Sequence, residues 1–339
     1  MAYGTISADV IQSSVANTSL GAGDASLMKN RIINGSMVID QRNSGASLTI
    51  TNTAANTYTL DRWYAYGNVA SKFSVQQNAG SVTPPAGFSN YLGVTSLSAY
   101  SVTAPDQFIL AQAIEGFNTA DFGWGTANAK TVTLSFWAYS SLTGSFSGAL
   151  RNGAGNYSYP FSYSIPVANT WTQISVTIAG PTAGTWVGAT NGVGMQVFFS
   201  LGVGSTNSGT AGAWTANAYN SVTGSVSVVG TNGATFYVTG VQLEVGSSAT
   251  GFEYRQYGQE LALCQRYYEI GRGDARGAVN GNNQVGNQIN FRVTKRTAPT
   301  ITVTVQTGSP VATNIYDSSF LFYGTTTENT GQYNASAEL

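Results

Sequence analysis

The sequence predicts an all-β protein: a jelly-roll β-sandwich with an extended N-terminal arm, one short helix and a small C-terminal β domain. Apolar and polar residues alternate along most of the 339-residue chain, which is typical of strands that bury one face. Clusters of Gly, Asn, Ser and Pro separate these stretches and form turns. Charged residues make up only 9% of the chain, against roughly 25% in an ordinary soluble protein. The surface must therefore consist largely of neutral polar side chains.

The composition of residues 1–30 predicts the extended N-terminal arm. This segment is polar, contains Gly and Ser, and is only weakly periodic. It can hardly bury itself, because it offers little apolar surface. We expect it to pack on a neighbouring chain or on a larger assembly, and a frayed terminus is the alternative.

Residues 31–255 predict the jelly-roll domain. Many short alternating stretches with regular turns between them favour a sandwich or jelly roll. Trp63 and Trp137 lie in strand-like contexts, so we expect both in the core. The clearest alternating triplets are Val132, Leu134 and Phe136; Ile174, Val176 and Ile178; Met195, Val197 and Phe199; and Val241, Leu243 and Val245.

Residues 256–339 predict a junction helix followed by the C-terminal β domain. Leu261, Cys264 and Tyr268 are spaced i, i+3 and i+7 among good helix formers, which indicates a helix from about Gln256 to Glu269 with Cys264 buried. The period then returns to two, at Ile289, Phe291 and Val293 and at Ile301, Val303 and Val305.

The composition argues against several classes of function. The chain has 14 basic and 15 acidic residues, scattered along it, whereas nucleic-acid binding needs clustered Lys and Arg. No run approaches the roughly 18 apolar residues of a membrane span. There is no His and one Cys, which excludes a Ser-His-Asp triad and a Cys-based zinc site. We expect no catalytic residue, no metal site and no cofactor.

A long part of the chain, from Arg151 to Glu244, has no charged residue between its ends. Contact through such a surface requires no desolvation of charge, so the surface suits contact with identical copies or with neutral glycans. Aromatic rings in loops are natural candidates for stacking on sugar rings. For Trp186 and Trp214, sealing one end of the sandwich is an equal alternative. The candidate glycan-binding residues are Trp124, Tyr157, Tyr159, Trp186, Trp214 and Tyr219.

Charged residues return around the predicted helix, which we interpret as an oligomer junction near a symmetry axis. Homo-oligomers are usually closed and symmetric. The four charged members would fix register through ion pairs, and the three apolar or aromatic members would provide contact area. The predicted junction residues are Arg255, Glu260, Leu261, Leu263, Arg266, Tyr267 and Glu269.

Three acidic residues keep a hydrolytic alternative open. Glycoside hydrolysis needs only two carboxylates, and Asp106, Glu115 and Asp121 are the acids between Lys72 and Arg151. They could converge on one site. Solvated or hydrogen-bonded loop acids are the favoured interpretation.

Several long blocks resemble a group of bacteriophage virion-surface and tail-fibre proteins. The blocks are NRIINGSMVIDQRNSG from Asn30, YTLDRWYAYG from Tyr58, and IEGFNTADFGWGTANAKTVTLSFWAYSSLTGSFSGAL from Ile114. The resemblance extends to GTNGATFYVTGVQLEVGSSATGFEYRQYGQELALCQRYYE and to the final NASAEL. It implies a jelly-roll domain similar to carbohydrate-binding modules, a short helix and a small terminal β domain. It also implies assembly on a phage particle, often as a trimer.

These observations together predict a structural virion subunit, a tail fibre, spike or surface fibre, that aids host adsorption through glycan contact without catalysis. We expect a homo-oligomer, with a trimer favoured, whose residues 1–30 bind other virion proteins. Two alternatives stay open. One is a capsid or tail decoration protein that binds no glycan, and the other is a polysaccharide depolymerase spike.

Overall fold

The period-two stretches form strands of two six-stranded antiparallel sheets. The computed structural model describes residues 29–278 and 284–339, and it confirms the all-β jelly-roll class. The chain crosses repeatedly from one sheet to the other, as in a jelly roll, and it also forms three hairpins that each stay within one sheet. The predicted arm lies outside the described residues, except for Lys29 and Asn30. Asn30 is buried, and its side chain bonds to Val241 and Leu243, so it belongs to the sandwich.

Sheet A contains the alternating triplets around Leu134, Val176 and Leu243. Its strand order is β1-β4-β5-β14-β7-β10. The bounds are β1 Leu48–Thr49, β4 Phe73–Gln77, β5 Leu92–Ser96, β7 Val132–Ser140, β10 Thr172–Ile178 and β14 Thr235–Val245.

Sheet B packs against sheet A and contains the Met195–Phe199 triplet. Its strand order is β2-β3-β6-β11-β8-β9. The bounds are β2 Thr57–Leu60, β3 Trp63–Gly67, β6 Gln107–Glu115, β8 Gly144–Asn152, β9 Ser158–Ile165 and β11 Val193–Val203. Two further short strands, β12 Ser208–Gly209 and β13 Ser221–Val222, pair in parallel beside them.

The central strands are buried on both faces, which differs from the expected burial of one face. In β11 the inward Val197 and Phe199 are buried, and so is the outward Phe198. Phe198 belongs to a separate apolar cluster with Tyr64 and Ile109. Trp63 lies in the main core as expected, but Trp137 is only half-buried and is not part of that core.

One α-helix occurs in the described part of the chain, α1 Tyr257–Gln265. It is shorter than predicted, because Tyr268 starts strand β15 and pairs with Ser336. Cys264 is buried as expected, and burial raises the pKa of its thiol. Short 3₁₀ turns span Ala79–Ser81, Gly116–Asn118, Ala120–Phe122 and Ser205–Asn207.

The C-terminal part forms two three-stranded sheets around a second apolar core, centred on Phe291, Phe322 and Tyr333. The sheet orders are β15-β20-β17 and β16-β19-β18. The triplet at Ile301 lies in β17, but the triplet at Ile289 extends past the end of its strand. The bounds are β15 Tyr268–Arg276, β16 Val285–Asn290, β17 Thr300–Thr307, β18 Val311–Thr313, β19 Ser319–Gly324 and β20 Glu328–Ser336.

A small apolar cluster joins the two parts of the chain. Ile33 and Ile39 from the start of the sandwich pack with Cys264 and Tyr267, and Leu339 packs against them. Glu338 pairs with both Arg42 and the fully buried Arg62. The last described residues are therefore fixed to the sandwich by both apolar and ionic contacts.

Candidate functional site

Five of the six predicted glycan-binding aromatics meet at one end of the sandwich. Trp124 follows the 3₁₀ turn Ala120–Phe122, and Trp186 lies between β10 and β11. Trp214 lies between β12 and β13. Tyr157 and Tyr159 come from the turn before β9 and from β9 itself. Four separate loops or strands of the sandwich therefore supply one group of rings, which we call the aromatic cluster.

The three indoles of the aromatic cluster are mutually perpendicular or nearly so. Ring centroids of Trp124 and Trp186 are 4.8 Å apart at 77°, and those of Trp186 and Trp214 are 5.4 Å apart at 90°. Tyr157 lies parallel to Trp214, at 5.8 Å and 8°, while Tyr159 is tilted at 5.3 Å. Edge-to-face and offset parallel contacts are the favourable geometries for aromatic rings.

Backbone carbonyls hold each indole in place. Trp124 Nε1 donates to Lys130 O at 2.8 Å, and Trp214 Nε1 donates to Ala179 O at 2.7 Å. Trp186 Nε1 donates to Ala183 O at 3.2 Å. Gly125 has φ of +81° and its backbone lies against Trp186, since a Cβ there would come within 2.9 Å of the indole. The rings are thus preorganised, with their N–H groups already used.

A small cavity of about 160 Å³ opens beside Trp124 and Trp186. Phe122, Gly123 and Met195 supply apolar surface, and Thr119 and Thr126 supply hydroxyl groups at its wall. Pockets for drug-sized ligands measure roughly 300–1,000 Å³, so this cavity has room for one sugar ring or part of one. Its lining contains no charged side chain.

Tyr219, the sixth candidate, lies outside the aromatic cluster, and its glycan contact stays a prediction. Its ring packs on Gly209, where a Cβ would come within 2.3 Å of the ring. Its backbone N–H donates to Ser158 Oγ at 3.1 Å. Tyr219 is half-buried and fixes the loop that follows Trp214, instead of extending the row of rings.

The three acids of the hydrolytic alternative do not share one site. Asp106 precedes β6 and Glu115 ends it, so about nine residues at roughly 3.3 Å each separate them along the strand. Thr103, Tyr100 and Asn68 bond to Asp106 and lower its pKa against the opposing effect of burial. Glu115 is buried and accepts two hydrogen bonds from Arg266, at 2.9 and 2.6 Å.

The predicted junction charges find their observed partners within the same chain. Arg266 binds Glu115 of the sandwich, and Arg255 lies 3.5 Å from both Glu253 and Glu260. Glu260 also accepts from the Asn34 backbone N–H. These ion pairs attach α1 to the sandwich, so they give register within one chain.

Glu269 and the apolar junction residues differ in accessibility. Glu269 is buried and pairs with Lys295 at 2.6 Å. Tyr267 is also fully buried, which corrects the prediction that it gives contact area to another chain. Leu261 is half-buried in the joining cluster, whereas Leu263 is 36% exposed.

A cavity of about 560 Å³ lies next to α1. Leu263 and Ala262 of the helix form part of its wall, together with Tyr254 and Val293. Tyr254 is 61% exposed. Arg31, Arg255 and Arg266 also line it, and each of them is paired with an acid of the same chain.

The outer face of sheet B carries a polar network that the sequence did not predict. Arg151 on β8 lies opposite Gln196 on β11, and Gln196 Nε2 donates to Tyr64 Oη on β3 at 3.1 Å. Asn220 donates to Gln107 on β6 at 2.6 Å. The signal in the sequence was slight: Arg151 is the last charged residue before the uncharged stretch.

No helix within 29–278 and 284–339 is long and apolar enough to cross a membrane. In the same ranges, no group of three or more His, Cys, Asp or Glu side chains is arranged to hold a metal ion.

Comparison with known proteins gave matches among solved structures alone. No family model and no curated protein matches the chain. Tailspike protein 4 of bacteriophage CBA120, in its enzymatically active domain, aligns at 14% identity and a TM-score of 0.34, over 64% of this chain and 21% of that one. A protein described as sugar-binding from Bacteroides thetaiotaomicron aligns at 13% identity and a TM-score of 0.37, over 64% and 100%.

A family 11 carbohydrate-binding module from Clostridium thermocellum aligns at 12% identity and a TM-score of 0.28, over 60% of this chain and 97% of that one. For the tailspike, the part that aligns with this chain makes up about a fifth of that protein's enzymatically active domain. All three TM-scores are below 0.5, so the fold class rests on the strand pairings above and the site rests on its own geometry.

Proposed function

We propose that this chain is a non-catalytic virion-surface subunit, a tail fibre or spike, that helps a phage adsorb to its host by contacting glycans. The observation that carries the proposal is the aromatic cluster with its uncharged cavity of about 160 Å³. Aromatic faces stack on the C–H faces of sugar rings, and hydroxyl groups bond to sugar hydroxyls. The resemblance of the blocks from Asn30 and Ile114 to phage virion-surface proteins supports the location.

The uncharged stretch fits this role physically. A neutral glycan that meets the aromatic cluster displaces water from rings and hydroxyls, and no ion has to be desolvated. Trp186 is the key ring, because it is half-buried and lines the cavity. Trp124 is only 7% exposed and forms the floor.

Binding of the full chain to an array of host-envelope glycans tests the proposal. In Trp186→Ala we expect a loss of about 10-fold or more in affinity, taking for a sugar the roughly 1–3 kcal/mol that stacking of a nucleic-acid base on one aromatic ring contributes. Trp214→Ala should weaken binding indirectly, because Trp214 supports Trp186 at 5.4 Å. Circular dichroism and the unfolding temperature show whether each variant is folded.

Trp171→Ala is the matched control. Trp171 packs on Tyr91 and Tyr139, in a cluster separate from the main core, and its indole N–H also donates to a backbone carbonyl. Glycan affinity should stay unchanged in this variant. Binding that survives both Trp186→Ala and Trp214→Ala in folded protein contradicts the assignment of the site.

A decoration protein without glycan binding is the second candidate, favoured by the fact that all three indole N–H groups of the aromatic cluster already bond internally. Under that alternative the rings seal the sandwich, and no array glycan binds.

Immunogold labelling of intact particles tests the virion location that both candidates share. Release of reducing ends from host polysaccharide, abolished by Glu115→Gln, would instead establish a depolymerase.

A further inference from the structure

Arg151 is a half-buried arginine on the outer face of sheet B. Its guanidinium carbon lies 4.5 Å from the centre of the Phe198 ring. Its hydrogen-bond acceptors are amide oxygens: Gln196 Oε1, at 3.0 Å from Nη2 and 3.4 Å from Nε, and Asn220 Oδ1, at 2.8 Å from Nη1. Stacking and two amides thus hold the guanidinium in one orientation.

No acid of the described residues pairs with Arg151. The other sandwich arginines do have such partners: Arg31 pairs with Asp121, and Arg42 and Arg62 pair with Glu338. Burial lowers the pKa of Arg151, and no carboxylate raises it. Arginine is charged at all ordinary pH values, so a positive charge is held in a partly dehydrated position without a counter-charge. Binding of an anion next to this charge is therefore favourable, because it supplies the missing counter-charge.

The guanidinium also retains free donors. Arginine has five N–H groups in a fixed planar fork. Nε and one N–H of Nη2 point to Gln196, and one N–H of Nη1 points to Asn220. One N–H on each terminal nitrogen therefore has no acceptor among the described residues. These two N–H groups can donate to the oxygens of a bound anion such as a carboxylate.

Neutral polar groups continue from Arg151 across the sheet. Gln196 bonds to the Tyr64 phenol on β3, and Asn220 bonds to Gln107 on β6. These amides and the phenol are the kinds of partner that sugar hydroxyls require. The aromatic cluster is close along the backbone, because Arg151 pairs with Ser158, and Ser158 bridges to Thr215, the residue after Trp214.

We infer that Arg151 anchors a second subsite, on the outer face of sheet B, that binds the carboxylate of an acidic saccharide such as a uronic acid. The inference rests on the proposed function, since it extends glycan contact from the aromatic cluster to the neighbouring sheet face. It adds a chemical class: a polymer with both neutral and acidic sugars satisfies both sites. A guanidinium binds carboxylates and phosphates alike, so the choice of a carboxylate follows from the proposed glycan ligand, and the test compares the two anions directly.

Nuclear magnetic resonance of the arginine Nε–H groups tests the subsite directly. Titration of the full chain with glucuronic acid should shift the Arg151 Nε–H signal, and the same concentration of glucose should not. Inorganic phosphate distinguishes a general anion site from a carboxylate site. Arg151→Lys, which keeps the charge but loses the fork, identifies the signal by its absence. An unmoved Arg151 signal with glucuronic acid overturns the inference, as does an equal or larger shift with phosphate.

Calorimetry with matched trisaccharides, one ending in glucuronic acid and one in glucose, gives the energetic test. We expect Arg151→Gln to weaken binding of the acidic probe by about 10- to 100-fold and to leave the neutral probe unchanged. Raising the salt concentration should weaken only the acidic probe. Arg272→Gln, at an exposed arginine of β15, is the control.

The outcomes separate this inference from the proposed function. If both trisaccharides bind equally and Arg151→Gln changes neither, the inference fails and the aromatic site stands. If the Arg151 signal responds to glucuronic acid while Trp186→Ala binds every neutral probe as before, the aromatic assignment fails and the subsite on sheet B stands.

Discussion

Asp61 shows how much a single buried carboxyl can contribute in a chain with few charges. It is fully buried next to Arg62, and its oxygens accept from Gln41 N and Gln41 Nε2, both at 2.7 Å. Burial raises its pKa to about 6, against the opposing effects of Arg42 and of these hydrogen bonds. No local pattern in DRWYAYG indicates this, because burial depends on contacts with distant parts of the chain.

The raised pKa of Asp61 predicts a pH-dependent contribution to stability. In the unfolded chain Asp61 ionises near 3.9, and in the folded chain near 6. Its favourable contribution is therefore complete below about pH 4 and is lost as the pH rises through about 6. We expect the difference in unfolding temperature between wild type and Asp61→Asn to be larger at pH 4 than at pH 7. Thermal unfolding followed by circular dichroism at each pH measures it.

Asp61→Glu is the companion variant, because it keeps an ionisable group at the same position. The difference between its unfolding temperature and that of Asp61→Asn should be larger at pH 4 than at pH 7, because the other acidic groups titrate in both variants and cancel in the difference. A constant difference between wild type and Asp61→Asn from pH 4 to 7 would contradict the raised pKa.

At the scale of elements, the sequence predicted what local periodicity controls and missed what long-range pairing controls. The strands around Leu134 and Val197 were predictable, because alternation reports one face of a strand. The burial of Phe198 on the opposite face was not, since it depends on how other segments cover sheet B. The helix was predicted too long because Tyr268 belongs to β15, where it pairs with Ser336 of β20. This partner is distant in sequence, so local periodicity gave no sign of the pairing.

The candidate site shows the same division. Trp124, Trp186 and Trp214 could be selected because glycines flank them in loops. Their meeting at one end of the sandwich follows from jelly-roll topology, which composition does not specify. The position of Tyr219 outside the cluster could not be predicted, because the packing of its ring on Gly209 depends on contacts that the local sequence does not specify. Arg151 was missed because its significance lies in having no acid partner among the residues that the structure describes, which a sequence pattern cannot show.

The buried pair of Lys295 and Glu269 predicts strong coupling between α1 and the C-terminal sheets. Lys295 Nζ binds Glu269 at 2.6 Å and Gln265 O at 2.6 Å. Lys295→Met leaves the buried Glu269 with only the exposed Arg292, at 3.5 Å, as a cationic partner, so we expect the free energy of unfolding to fall by about 3–5 kcal/mol. Adding Glu269→Gln should restore much of the loss. Urea denaturation of the two variants measures both changes.

The control for this pair is Arg276→Met. Arg276 forms ion pairs with Asp274 and Glu328 in which all three side chains are largely exposed. Exposed pairs contribute about 0–1 kcal/mol, so this variant should unfold near the wild-type urea concentration. A loss in Lys295→Met no larger than that in Arg276→Met would show that the buried pair does not couple the elements.

At the scale of the whole molecule, an exposed apolar surface beside α1 is suited to association between copies of the chain. Leu263, Tyr254 and Tyr257 are 36%, 61% and 64% exposed, and the first two line the cavity of about 560 Å³. The neighbouring arginines are already paired within the chain, so contact between two copies here meets little like-charge repulsion. The expected trimer stays a prediction.

Leu263→Asp tests association through this surface. We expect the variant to dissociate into monomers in native mass spectrometry, because a carboxylate at an apolar contact loses its hydration. The unfolding temperature measured on dilute monomer should change little, since Leu263 is exposed. Leu261→Asp is less informative, because Leu261 packs in the joining cluster and its loss destabilises the chain itself.

Val305→Asp is the matched control, since Val305 is 52% exposed on β17, away from α1. It should leave the oligomer intact. An oligomer that persists in Leu263→Asp, or a wild-type chain that is monomeric at every concentration, would contradict association through this surface.

The contacts of Lys29 to Arg31 fix the start of the described chain to the sandwich, and we expect these contacts to share any force applied at residue 29. Arg31 N bonds to Leu243 O, and Asn30 N bonds to Glu253. Lys29 bonds to Thr250 and Gly251. A pull transmitted through residue 29 is therefore spread over the end of β14 and the segment before α1. Ile33 and Leu339 also pack in the joining cluster. We therefore expect the sandwich and the terminal sheets to resist such a force together.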